Sequence, residues 1–397
     1  MPENRQERFL DELWRRMNVR DKDIRFIQLY AEPDHDPLQW TAFFSTVDLP
    51  VEPYPFNCLL TRLDRKTQWQ GVPDELVPML NGLKKKLIAK NAVQMMDGMM
   101  LVKELNRRNI PVLLIKGGAL RTVLLPDVPR RMTDLDIVVP ADRYKESYET
   151  ALANGYHTVS NVMYSIDLHK GDRSTVDIHH SMFKNNFQTD EPAELILNDA
   201  SEHRRNGAVF KVPSPEDTFL MTMINAVDNF LQGSDKGPVT WLADCLDIAE
   251  RYPLHYETMM EHAKAFHVWP QFQTGVLLMR RFLPGHFSEL YRMTDTRIST
   301  KTVKRMVRLL KCRDITQEEL KGKPLLPRAW HRIGFLSAYY IGIHHLDDST
   351  FTIIRAFPGM LKEWQRVDHL YELPGRFVST AKRWKTEKKE ADHVQTE

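Results

Sequence analysis

The chain is poor in cysteine, and the three it has, Cys58, Cys245 and Cys312, are scattered. No C-x-x-C pair occurs, which argues against a zinc centre of the usual spacing and against a disulfide framework. So few and so distant thiols suit a reducing compartment, and the expected location is the cytoplasm. Long hydrophobic runs are also missing. No stretch approaches the ~18 apolar residues that cross a bilayer, and the N-terminal MPENRQERFLDELWRR alternates charges where a secretion signal would be apolar. No membrane span is expected. Nor is there an excess of one charge: 55 Lys and Arg against 53 Asp and Glu leave +2, so overall electrostatics give no reason to expect nucleic acid as a partner.

Apolar residues, by contrast, make up 42% of the 397 positions, enough to bury a large core divided over two or three domains. The region from 1 to about 82 reads as mostly helical, with Phe9, Leu10, Leu13, Trp14 and Met17 at helical spacing. Trp40, Phe43 and Phe44 read as core anchors, and the proline-bearing LPVEPYPF, Leu49 to Phe56, reads as an extended connection. A long helix is expected from Gly82 to Arg108.

The most informative stretch runs from Leu113 to Val139. Apolar Leu113, Leu114 and Ile115 precede Lys116, Gly117 and Gly118, and then Ala119 to Leu125 suits a helix, which Pro126 and Pro129 terminate. Strand, glycine turn, helix is the expected order, and a glycine turn opening a helix suits a phosphate. The next apolar run opens with Asp134 and Asp136, followed by Ile137, Val138 and Val139. Residues two apart on a strand share a face, so both carboxylates are expected to point the same way, a geometry that suits a divalent cation. Further on, Thr175 to His179 alternates, placing Asp177 and His179 together on one face as a third carboxylate and a companion imidazole. A helix from Pro140 to Asn154 and two strands, about Tyr156 to Leu168 and Ser174 to His180, complete this unit.

Lys116-Gly117-Gly118-Ala119-Leu120, Arg130 ahead of Asp134-Leu135-Asp136, and Asp177-Ile178-His179 together resemble the uncharacterised nucleotidyltransferase family of bacteria, within the superfamily that includes DNA polymerase β. Trp241, Leu242 and Asp244 are similar to a second signature of that family. The resemblance implies an α+β fold: a minimal polymerase β-like nucleotidyltransferase domain with a mixed sheet, residues 83–212, flanked by an N-terminal helical region, 1–82, and a C-terminal helical domain with a basic tail, 213–397. It implies transfer of a nucleoside monophosphate from an NTP to an acceptor hydroxyl. Asp134, Asp136 and Asp177 would hold Mg²⁺ or Mn²⁺. Lys116, Gly117, Gly118, Arg130 and His179 would contact the nucleotide, chiefly its phosphates.

The acceptor, whether small molecule, saccharide, protein or RNA, is not specified by these motifs, nor is the oligomeric state. Two other readings stand beside this one: a glycosyltransferase using Asp134 and Asp136 with a sugar nucleotide, and a catalytically silent nucleotide-binding scaffold. Asp244 suits two roles equally, orienting a ligand or pairing with a basic residue to fix its helix. The basic stretches Lys301 to Arg313 and Arg376 to Lys389 are read as solvated faces ahead of anion-binding surfaces.

Overall fold

A computed structural model describes residues 3–162, 165–171, 174–183, 197, 199–233, 237–312, 337–342 and 346–365. Arg313 and the basic stretch 376–389 lie outside them.

Helices α1 (Glu3–Arg16), α2 (Asp21–Ala31), α3 (Pro37–Phe44), α4 (Tyr54–Leu60) and α5 (Leu63–Thr67) precede the sheet. Their apolar stripes meet in one core, where Phe26 stacks on Tyr30 and Trp40 meets Phe43 edge-on. Trp40, Phe43 and Phe44 are buried, as their spacing suggests. Asp36 caps α3 by accepting from the Leu38 amide, and Pro37 follows in the first turn. The prolines of Leu49 to Phe56 do not make an extended link. Pro53 is the N-cap of α4 and Pro55 lies in its first turn, where the missing N–H would have had no helical partner anyway.

The long helix α6 (Val77–Arg107) begins five residues before the expected Gly82 and leads into β1 (Leu113–Leu114). Next comes a single helical turn, α7 (Lys116–Ala119), continued by a π-helical turn over Leu120–Leu124. The sheet then adds β2 (Leu135–Val138) and, after a 3₁₀ turn and α8 (Tyr144–Ala153), strands β3 (His157–Val162), β4 (Ser165–Lys170) and β5 (Ser174–His179). The stretch expected as one strand from Tyr156 to Leu168 is therefore split between β3 and β4, which pair antiparallel.

A second hairpin, β6 (Ser201–Arg205) and β7 (Ala208–Val212), completes the sheet. Its turn is Asn206-Gly207, both with positive φ (51° and 80°). That dipeptide is a hairpin signal in its own right, overlooked in reading the sequence. The seven strands lie in the order β3-β4-β5-β2-β1-β7-β6. The β2–β5 and β1–β7 pairs are parallel and the others antiparallel, which makes the sheet mixed.

Helices α9 (Pro215–Leu231), α10 (Thr240–Arg251), α11 (Tyr256–Ala265), α12 (Trp269–Phe282), α13 (Ser288–Met293) and α14 (Thr300–Cys312) follow. Ser214 caps α9 by accepting from the Asp217 amide. In α14, Val303, Met306, Leu309 and Leu310 are buried while Lys301, Lys304 and Arg308 are exposed, so this basic stretch is an amphipathic helix with a solvated charged face. The chain divides into two compact units, Met1–Asp347 and Asp348–Glu397. The second contains α15 (Thr350–Gln365), on which Phe351 and Ile354 are exposed. No described helix is long and apolar enough to cross a membrane.

Candidate active site

Parallel pairing of β2 with β5 sets Asp136 opposite Asp177, and antiparallel pairing of β5 with β4 sets Asp177 opposite Asp167. Directly paired residues face the same side of a sheet. The other side carries Ile137, Ile178, Ile166, Val176 and Leu168, all buried in the core. Alternation thus sends the apolar set to one side of the sheet and a row of three carboxylates to the other. Asp167 was missed in the sequence because a lone Asp on a strand carries no signal until its register is known.

His179 lies two residues beyond Asp177 on the same face, and its Nε2 is 3.1 Å from Asp136 Oδ1 and 3.0 Å from Asp177 Oδ2. The Lys116 ammonium reaches Asp136 Oδ1 at 2.5 Å. Among the described residues, the ligand atoms of Asp136, Asp177 and His179 all lie within 4.8 Å of one another. Asp134 precedes β2, lies outside that close group, and accepts a hydrogen bond from the Thr133 hydroxyl. Of the expected triad, the fold gathers Asp136 and Asp177 most closely, with His179 between them and Asp134 lining the same cleft.

Burial alone would raise the Asp136 carboxyl, but the charge of Lys116 and the hydrogen bond from His179 overcome it and hold the group far below its ordinary value. Asp177 is opposed by burial in the same way and is lowered by the charge of His179. For Asp134, burial and then the neighbouring Asp136 charge push it up and outweigh the Lys116 charge and the Thr133 hydrogen bond. Burial works against a charged His179, yet the carboxylate of Asp177 raises it. The negative charge of the cluster is met by a lysine and an imidazole. Asp177 Oδ1 is buried with no hydrogen-bond partner. A carboxylate oxygen left without a partner, among further hard oxygen donors, fits a divalent cation of the Mg²⁺ or Mn²⁺ type.

The glycine turn differs from its expected form. Neither Gly117 nor Gly118 has positive φ; both lie inside α7, and the left-handed residue is Lys116, at φ 49°. A non-glycine residue held there carries strain of order 1–3 kcal/mol. The glycines are needed for closeness. A methyl at Gly118 would stand 2.7 Å from Leu135 Cδ1, and one at Gly117 would stand 2.8 Å from the Arg130 Nη1. Gly117 therefore meets a guanidinium at the cleft wall, and Gly118 meets the strand that carries Asp136.

Arg130 is held by Asp244, Nε to Oδ2 at 2.9 Å, and Asp244 also accepts from Arg62 at 2.6 Å. Arg62 continues to Asp247 at 2.8 Å, and Asp247 accepts from the Tyr30 hydroxyl at 2.7 Å. Arg62, Asp244 and Asp247 are each 1% exposed. Of the two roles open to Asp244, the geometry is that of ion pairing: it ties α10 to Arg62, just beyond α4, and to the cleft-facing Arg130.

Lys116, Gly117, Arg130, Asp134, Asp136, Asp177 and His179 all line one cleft of about 360 Å³, within the range of small-ligand sites. Its opposite wall comes from α4, α9 and α10. There, Thr222, Asn225 and Asn229 form a polar stripe at positions i, i+3 and i+7 of α9. In the sequence the stripe shows only as an interruption of that helix's buried face.

The sequence model described as an uncharacterised nucleotidyltransferase matches residues 56–284, from α4 through the end of α12. Among curated proteins, none matches the chain. The solution structure of the antibiotic-resistance factor ANT(2'')-Ia is similar over 44% of this chain and 91% of its own, at 17% identity and a TM-score of 0.32. An antigenic nucleotidyltransferase-like protein from Paracoccidioides brasiliensis is similar over 49% of this chain and 92% of its own, at 19% identity and a TM-score of 0.30.

Proposed function

Because the chain belongs to this family of uncharacterised nucleotidyltransferases, we propose that it moves a nucleoside monophosphate from an NTP to an acceptor hydroxyl in a Mg²⁺- or Mn²⁺-dependent reaction. Asp136 and Asp177 are the principal metal ligands in this reading, with Asp134 completing the set from the rim. The observation that carries it is the opposition of Asp136 and Asp177 in neighbouring strands beside Lys116 and Gly117. Residues 83–212 then hold the transfer chemistry, and the flanking helical regions supply the facing wall.

A bound divalent cation supplies neutralisation of the triphosphate and polarisation of the α-phosphorus. Lys116 and Arg130 bind the β- and γ-phosphates beside the Gly117 backbone and stabilise the charge that develops on pyrophosphate. The acceptor oxygen attacks the α-phosphorus, the bond to the bridging oxygen of pyrophosphate breaks, and the hydroxyl proton passes to Asp177. His179 orients the Asp136 and Asp177 carboxylates through Nε2, as outer hydrogen-bond partners orient ligands elsewhere.

The test is incubation of the protein with radiolabelled NTPs and a cell extract in Mg²⁺ or Mn²⁺. Label transferred to an acceptor with release of pyrophosphate is the expected result. Release of UDP or GDP from a sugar nucleotide would replace this reading with glycosyl transfer, and NTP binding with no product under any acceptor would replace it with a silent scaffold.

A further inference from the structure

We propose that the amide-bearing face of α9, Asn225 and Asn229, reads the edge of the donor's nucleobase; the inference rests on the nucleotidyl-transfer reading above. Helix α9 is packed on nearly every side, with Phe219, Leu220, Met223, Ile224, Val227 and Leu231 all buried. The stripe that faces the cleft is Thr222, Asn225 and Asn229. Thr222 is already satisfied, its hydroxyl donating to the Thr218 carbonyl at 2.8 Å. Neither asparagine makes a hydrogen bond to any described residue. Asparagine is a poor residue for a helix interior, and its usual local reward is a cap or turn bond to nearby backbone. Here that reward is absent, so two amides stand in a cleft with donor and acceptor both unspent. Thr240 Oγ1, at the start of α10, lines the same cleft and is buried without a hydrogen-bond partner.

The cleft lining combines two chemistries: Lys116, Arg130 and the carboxylates on the one hand, and the amides with Leu59, Phe230 and Trp241, each at most 5% exposed, on the other; Asn225 also borders a small pocket beside Lys116 and His179. A nucleoside triphosphate calls for the same two chemistries, with a polyanionic tail and a flat base that has apolar faces and a polar edge. An amide is uncharged and offers a donor and an acceptor side by side, which is the pattern that tells one base edge from another. Asp244, which lines the same cleft, is already shared by Arg62 and Arg130.

The experiment is calorimetric titration of the full chain, in Mg²⁺ and without acceptor, with each of the four NTPs and with inorganic tripolyphosphate. One NTP is expected to bind about tenfold or more tighter than the weakest, in line with one well-placed amide pair. Asn225→Ala and Asn229→Ala should shrink that spread to about threefold while tripolyphosphate affinity stays within about twofold. Asn229→Asp, nearly isosteric and therefore safe for the fold, should shift preference toward bases that present an amino group. If tripolyphosphate binds but wild type does not discriminate, or the variants keep full discrimination, the amide face does not read the base, and the transfer reading survives. If neither tripolyphosphate nor any NTP binds, the transfer reading fails and takes this inference with it.

Discussion

Asp136 stands directly opposite Asp177 in the neighbouring parallel strand, and one imidazole nitrogen, His179 Nε2, bonds both carboxylates. The two acids differ in depth: the Asp136 side chain is 5% exposed, whereas that of Asp177 is 20% exposed.

That difference separates the outcomes of two otherwise similar substitutions. Asp136→Asn should lower pyrophosphate release by roughly a thousandfold or more, as expected when a group at developing charge is lost. It should also destabilise the fold by roughly 1–3 kcal/mol, because Lys116 and His179 lose their charged partner. Reading the sequence alone, the acids look like a surface cluster whose removal leaves the fold untouched; burial of Asp136 reverses that expectation. Asp177→Asn should be nearly as damaging to activity with a smaller stability loss. Thermal denaturation alongside the assay checks both, and a fully active Asp136→Asn in Mg²⁺ would overturn the assignment.

Leu135 is clasped by glycines from two helices: a methyl at Gly98 on α6 would lie 2.2 Å from its Cδ2, and one at Gly118 on α7 would lie 2.7 Å from its Cδ1. Gly98→Ala should therefore cost about 1–3 kcal/mol through overpacking. Combining it with Leu135→Ala should recover part of that loss, because the methyl then meets a gap. Denaturant midpoints of the two single variants and the double would measure the coupling, and strictly additive losses would show that the clasp is not the cause.

Asp244 joins a buried arginine to one that faces the cleft. Asp244→Ala should destabilise by about 3–5 kcal/mol, since Arg62 keeps its charge in a site closed to water with one partner fewer. Urea denaturation gives the number. A loss within about 0.5 kcal/mol, typical of a surface position, would mean the network rearranges.

His262 Nδ1 is 2.7 Å from Asp217 Oδ1, beside the N-cap of α9. The hydrogen bond to Asp217 is the largest cause of a raised His262 pKa, outweighing burial. Its stabilisation is therefore complete below the ordinary histidine value of about 6.5 and fades as pH rises through the higher folded value. His262→Ala should cost about 1 kcal/mol more at pH 5.5 than at pH 9, a figure kept small because the site is partly screened by solvent. Equal losses at the two pH values, measured by denaturant unfolding, would refute the linkage.

The residues between Leu113 and His179 pointed to a candidate phosphate and metal site because local chemistry, a glycine pair beside a lysine and acids two apart, survives in linear order. Several strands were legible for the same reason, since alternation is a property of neighbours in the chain, whereas the mixed sheet was implied by the family resemblance. The Asn206-Gly207 hairpin was equally legible and went unread. What no stretch of sequence contained was register. That Asp167 aligns with Asp177, that Asp136 is buried, and that Asp244 meets arginines 182 and 114 residues away depend on which strands and helices lie side by side. Those pairings follow from burying every apolar face at once, a condition on the whole chain that leaves no mark on any single segment.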